Sequence, residues 1–314
     1  MTRLRATSAA LLGDGRMRLR RELDLRLMRL RSHPRLWPEQ RTVGAPNTFF
    51  SRSRLKELRG HVYRAARADR RLLERFAESR IEGLRAWEYG MLLGYLHGIP
   101  ERGRFEALDV GSGGSAFPEY LLASGNVGSM TTLDLPDAFE QPVAAGASVR
   151  QVAGSMLDMP FADHSFDLVT CISAIEHLDG NPALHHRDPE AHPMLPYDEY
   201  IERTGEAVLE MARVIRPGGH LYLTTDVFLP DLQHTDVWAK GRGGAIRSAY
   251  RFEALEQTFL PAVAAGGLEL AGRPAFGRQL LEDSDDRSSY RGRYFTTFAL
   301  VARRPSSPAG GTVA

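Results

Sequence analysis

This 314-residue sequence predicts an α/β fold, doubly wound, with a mostly parallel sheet covered on both faces. Three observations carry that reading. From residue 105 onward, short apolar runs alternate with segments of helical spacing. The first run ends in a glycine-rich loop, Gly111-Ser112-Gly113-Gly114. The next run ends in a carboxylate, Asp134.

Taken in chain order, residues 1–50 are irregular. Residues 16–31 have helical spacing, with Leu19, Leu23, Leu27 and Leu30 on one side, before Pro34, Pro38 and Pro46 break the pattern. Residues 51–98 read as helices. Ser51 or Ser53 offers a cap, and Leu72, Leu73, Phe76, Leu84, Trp87 and Met91 supply the apolar faces. A strand is expected over 105–110, a helix over 116–123 that stops at Gly125, and a strand over 129–133. A helix over 138–145 leads to a strand over 149–153 and then to the most apolar strand, 166–173. The long helix 197–214 ends in Arg216-Pro217-Gly218-Gly219, a turn into a strand over 220–225. A helix over 251–265 and strands over 268–270 and 294–302 complete the set. The tail is rich in Pro, Gly and Ser and reads as disordered. The expected division is a basic helical region 1–100, a nucleotide-binding domain 101–304 and a tail 305–314.

Composition bounds the function. Hydrophobic residues make up 43%, enough for a full core. The lone cysteine, Cys171, lies in an apolar run; it excludes an internal disulfide and reads as a buried thiol. No stretch approaches the ~18 apolar residues of a membrane span, and the arginine-rich N-terminus lacks the apolar segment of a signal peptide. A cytoplasmic location is the expectation. The net charge of +1 hides an asymmetry. Residues 1–104 hold 24 basic against 11 acidic residues, net +13, and the remainder holds 16 against 28, net −12. The basic part either packs on the acidic part, of its own chain or a second copy, or attracts an anionic partner.

Four segments suit one ligand. A strand that ends in a glycine loop lets backbone N–H groups approach a nucleotide. Asp134, 23 residues after Gly111, can accept hydrogen bonds from ribose hydroxyls. Gly154-Ser155-Met156-Leu157-Asp158 can supply a backbone amide and an apolar wall to a purine. The carboxyl end of the 166–173 strand lies under such a ligand.

Those segments resemble a class I S-adenosylmethionine-dependent methyltransferase of the type acting on small molecules. The matching pieces are Leu108-Asp109-Val110-Gly111-Ser112-Gly113-Gly114, Leu133-Asp134, Asp158-Met159-Pro160-Phe161, Ser165-Phe166-Asp167-Leu168-Val169, Ile175-Glu176-His177-Leu178 and Arg213-Val214-Ile215-Arg216-Pro217-Gly218-Gly219. The resemblance implies a seven-stranded Rossmann-like sheet whose last strand runs antiparallel, and S-adenosylmethionine as methyl donor. It implies that Gly111 and Gly113 approach the methionine part, that Asp109 helps position the amino-acid end, and that Asp134 holds the ribose, with Ser112 also among the cofactor contacts. Leu135, Ser155, Met156 and Ile172 complete the expected cofactor contacts. Two positions depart from the family pattern. Ser115 stands where a third glycine is common, and Ser155 stands where many relatives carry an acidic residue for the adenine amine.

A hydroxyl acceptor needs a base, and His177, just past the fourth strand, is the candidate. The family's aromatic motif for amine-base methylation is absent, which favours a small molecule or glycan over a nucleic-acid base. Glu176, His177, Asp179, His185, His186, Asp188 and His192 fall within 17 residues. A divalent metal there is the weaker reading, and no metal ligand is assigned. Arg291 and Arg293 suit an anionic or polyhydroxylated acceptor. Two other readings stay open: an RNA methyltransferase guided by the basic region, and a non-catalytic cofactor-binding scaffold of the same fold. The helical N-terminal region either covers the acceptor pocket or forms a homodimer contact.

Overall fold

The computed structural model describes residues 46–51, 53–67, 69, 71–73, 84–99, 105–139, 149–179, 195–228, 249–272, 277 and 295–306. The expected helix over 16–31, most of the one over 138–145, His185, His186, Asp188, His192, Arg291, Arg293 and nearly all of the tail lie outside them.

The elements in chain order are β1 (Thr48–Phe49), α1 (Leu55–Arg67), α2 (Leu84–His97), β2 (Phe105–Val110), α3 (Phe117–Ala123) and β3 (Val127–Asp134). Then come β4 (Val149–Ala153), β5 (Phe166–Ile172), a 3₁₀ turn (Ile175–Asp179), α4 (Tyr197–Arg213) and β6 (Ile215–Phe228). The last helix, α5, runs through Phe252–Ala254, a π-helical stretch Leu255–Phe259 and Leu260–Ala265; β7 (Glu269–Leu270) and β8 (Phe295–Arg303) follow.

The sheet order is β1-β8-β6-β5-β2-β3-β4, with β7 also on β8. Strands β2 to β6 pair in parallel, and β8 runs antiparallel to β6. The seven strands expected from the sequence are therefore all present, with the antiparallel last strand that the resemblance implies. An eighth, β1, was not expected, because two residues carry no periodicity. It is held by Asn47, whose side chain donates to the Ala271 carbonyl (2.9 Å) and accepts the Val301 N–H (2.7 Å).

Adjacent residues of each buried strand point to opposite faces. Leu108, Val169 and Leu223 enter a core roofed by α4 and α5, with Val208, Met211 and Phe259. Ala107, Leu168 and Tyr222 enter a second core roofed by α1, α2 and α3, with Leu58, Trp87, Leu92 and Tyr120. Cys171 is buried, as expected. Helices α1 and α2 touch closely: a Cβ on Gly90 would lie 2.4 Å from the Leu58 carbonyl oxygen.

Two elements differ from the sequence reading. The expected turn at 216–219 is a bulge inside β6, where five steps (Ile215 to His220) face two on β5 (Phe166 to Leu168). Gly218 takes φ 81° there. The helix over 251–265 changes register at residues 255–259. Pro261 has no N–H to donate to the Gln257 carbonyl, which accounts for the widened turn.

Candidate active site

The carboxyl edge of the parallel strands gathers the predicted residues. At the end of β2, Gly111 (φ 70°) and Gly113 (φ 51°) turn the chain out of the sheet. A side chain at Gly111 would come within 2.5 Å of the Ala174 Cβ, so the loop lies directly on the segment after β5. A Cβ on Gly113 or Gly114 would meet nothing within 4 Å. Among the described residues nothing crowds the backbone there, which leaves room for a ligand of the S-adenosylmethionine kind. Ser112 is buried in the loop, and its carbonyl accepts the Ser115 N–H (3.0 Å).

Asp134 ends β3 beside this loop. Its carboxylate accepts the Gly113 N–H (2.6 Å) and the Leu135 N–H (2.8 Å). Leu135 and Leu209 are the large apolar side chains left exposed among the described residues, and Leu135 lies next to Asp134. Beyond β4, Ser155 Oγ accepts the Leu157 N–H (3.1 Å) and closes a tight turn. Half-buried Met156 reaches across, its Cε 3.5 Å from the position of a Cβ on Gly111. Ile172, half-buried, ends β5.

Asp109 is 2% exposed and accepts the Thr170 hydroxyl (2.6 Å). Burial pushes its carboxyl up to about 7; the Thr170 bond opposes the shift and the Asp134 charge adds to it. The 3₁₀ turn after β5 carries His177, half-buried, whose N–H donates to the Ala174 carbonyl (3.0 Å). Beside it Glu176 is 2% exposed and accepts the Thr225 hydroxyl (3.1 Å). Burial, with the Asp226 charge adding, holds the Glu176 carboxyl well above the usual carboxylate range.

One carboxylate escaped the sequence reading. Glu88 of α2 is fully buried at the junction of β5 and β6. It accepts the Ser173 hydroxyl (2.6 Å), the Thr224 hydroxyl (2.7 Å) and the Arg85 guanidinium (2.9 Å). One residue further on, the Tyr89 hydroxyl lies 3.2 Å from Ser115 Oγ, so α2 also touches the glycine loop. Ser173 takes φ 45°, a left-handed conformation rare for a side-chain-bearing residue. The sequence holds only part of the signal: Glu88 is the lone acid of a mostly apolar helix, three residues after an arginine, but its partners on β5 and β6 are far away in the chain. Among the described residues, no three His, Cys, Asp or Glu side chains form a metal-binding group, and no helix is long and apolar enough to cross a membrane.

An open α/β sheet with a glycine loop after β2 and a carboxylate at the end of β3 defines a protein of the doubly wound class. The family model described as "Methyltransferase domain" matches residues 108–189, the stretch from the glycine loop past the His177 turn. Residues 108–189 thus match a methyltransferase domain, whose methyl donor is S-adenosylmethionine. No curated protein matches the chain at a significant level. Solved structures resemble it at low identity. A candidate methyltransferase from Bacillus halodurans is 20% identical, covering 66% of this chain and 95% of its own, with a TM-score of 0.41. A SAM-dependent methyltransferase from Methanosarcina mazei is 17% identical, covering 66% and 95%, with a TM-score of 0.43. A geranyl diphosphate methyltransferase, solved with GPP and sinefungin, is 15% identical, covering 71% and 80%, with a TM-score of 0.45.

Proposed function

We propose that this protein transfers a methyl group from S-adenosylmethionine to a hydroxyl of a small molecule or glycan, with His177 as the base. One observation carries the reading. The turn bearing His177 lies against the glycine loop, Ala174 filling the space a side chain on Gly111 would need. The only imidazole on that turn thus lies one short turn from the loop that cradles the donor.

The bound donor supplies a sulfonium-linked methyl carbon for in-line displacement. The rest is the work of the chain. Gly111, Ser112 and Gly113 present backbone to the methionine part, and Asp109, tied to Thr170 of β5, helps position the amino-acid end. Asp134 accepts the ribose hydroxyls, and Leu135 and Met156 cover the base. Ser155 and the Met156 amide edge the purine, and Ile172 floors the site. His177 takes the acceptor's proton at an imidazole nitrogen as the new bond forms.

A paired experiment tests these roles. Radiolabelled donor is offered with a panel of phenolic, sugar and polyol hydroxyl acceptors, and binding of S-adenosylhomocysteine is followed by calorimetry. His177→Ala is expected to lower turnover by about 10²–10⁴-fold while leaving product affinity unchanged. Asp134→Ala is expected to weaken that affinity by well over tenfold, on the order of two ribose hydrogen bonds to a charged acceptor. Full turnover by His177→Ala would remove the base assignment. Label transferred only to amines or to RNA would replace the acceptor class.

A further inference from the structure

The 3₁₀ turn Ile175–Asp179 is gripped from two other elements. The Tyr250 hydroxyl, from the segment after β6, donates to the Ile175 carbonyl (2.9 Å). The Tyr200 hydroxyl, from α4, donates to the Glu176 carbonyl (3.1 Å). These are the two residues immediately before His177. The two rings stack at 4.7 Å and 14°, and Phe259 closes on Tyr250 edge-on at 4.9 Å. Both tyrosines are buried, so their hydroxyls have no water to satisfy them and must bond within the protein.

The grip is braced in turn. Thr204 Oγ1 lies 2.9 Å from the Tyr250 hydroxyl and donates to the Tyr200 carbonyl (2.8 Å). Tyr250 is itself pinned to β6: its N–H donates to the Asp226 carbonyl (2.9 Å), and its carbonyl accepts the Phe228 N–H (2.7 Å). Nearer the surface, the Arg251 N–H donates to the Tyr197 hydroxyl (3.1 Å), and the Arg251 guanidinium lies 4.4 Å from the Tyr197 ring centre. On the other side of the turn, Thr225 holds the Glu176 carboxyl. A short helical turn with few internal hydrogen bonds is soft by itself. Here it is referenced to α4 and β6 through side-chain donors.

We propose that Tyr200 and Tyr250 are positioning residues for His177: their hydroxyls hold the carbonyls of residues 175 and 176 so that the imidazole keeps one place beside the glycine loop. The proposal rests on the reading of His177 as the base, and its test separates the two. Protein labelled with ¹⁵N in its histidines is recorded by imidazole ring correlation at one pH, the His177 signal being assigned with His177→Gln. Tyr250→Phe and Tyr200→Phe are each expected to shift or broaden the His177 ring signal and leave those of His164 and His220 in place. Phe259→Leu, which disturbs the same core without touching either hydroxyl, is expected to leave His177 unmoved. Affinity for S-adenosylhomocysteine stays within about twofold in all three, because each change lies away from the donor's own loop. Turnover in the tyrosine variants is expected to fall about tenfold, since a displacement of ~1 Å at a reacting group is costly. An unmoved His177 signal in both tyrosine variants would overturn the proposal, as would an equal movement in Phe259→Leu. A moved signal, together with full turnover by His177→Ala, would keep the clamp and remove only the base assignment.

Discussion

Asp109 shows how much one side chain's chemistry depends on its surroundings. In the unfolded chain its carboxyl ionises near 3.8; in the folded protein burial lifts that to about 7. The folded state therefore holds this proton over a range where the unfolded chain has released it. Stability from this group is fully present below about pH 4 and is lost as pH rises through about 7. Asp109→Asn cannot ionise and escapes that loss. Urea unfolding of the two proteins should show the variant gaining on the parent by a few kcal/mol between pH 4 and pH 7. A gap independent of pH would show that Asp109 does not carry this shift. Asp134, on the next strand, differs in kind: half-buried and already accepting two backbone N–H groups, it stands at the open side of the loop.

At the scale of elements, α2 does more than cover the sheet. Its Glu88 ties the ends of β5 and β6 together through Ser173 and Thr224, residues 85 and 136 positions away. Removing the carboxylate leaves two buried hydroxyls and the Arg85 cation without their acceptor. Glu88→Ala is expected to cost on the order of 3 kcal/mol in chemical denaturation. Glu88→Gln keeps an oxygen for both hydroxyls and should lose clearly less. Equal losses would mean that volume, rather than the acceptor, is what the site uses. The glycine loop and the carboxylate after β3 could be read from the chain because they depend on local backbone chemistry at a fixed spacing. Glu88, Tyr200 and Tyr250 could not be assigned that way. A buried acid and two buried tyrosines acquire meaning only through partners far away in sequence.

Across the whole molecule, the sheet is continuous with its N-terminal segment. Strand β1 extends β8, and α1 and α2 roof the face that carries Ala107, Leu168, Tyr222 and Val301. A fragment beginning at residue 100 would leave that face in water. Such a contiguous apolar surface is expected to bind a hydrophobic dye strongly and to drive self-association. Sizing chromatography and dye fluorescence of the fragment against the full chain check this. A monomeric fragment melting like the parent would show that the two parts fold independently.

What the sequence determined by itself was the order of strands and helices, the glycine loop, Asp134 and the chemical class of the donor. Each of these is written in periodicity or in residue type at short range, where backbone sterics and hydrogen-bond chemistry act without help. Tertiary structure alone decided that α2 reaches the glycine loop, that the 216–219 turn is a bulge within a strand, and that the His177 turn is held by two tyrosines. Those outcomes depend on which distant groups a folded chain brings within about 3 Å of each other, and hydrogen bonds of that length leave no local pattern in the chain.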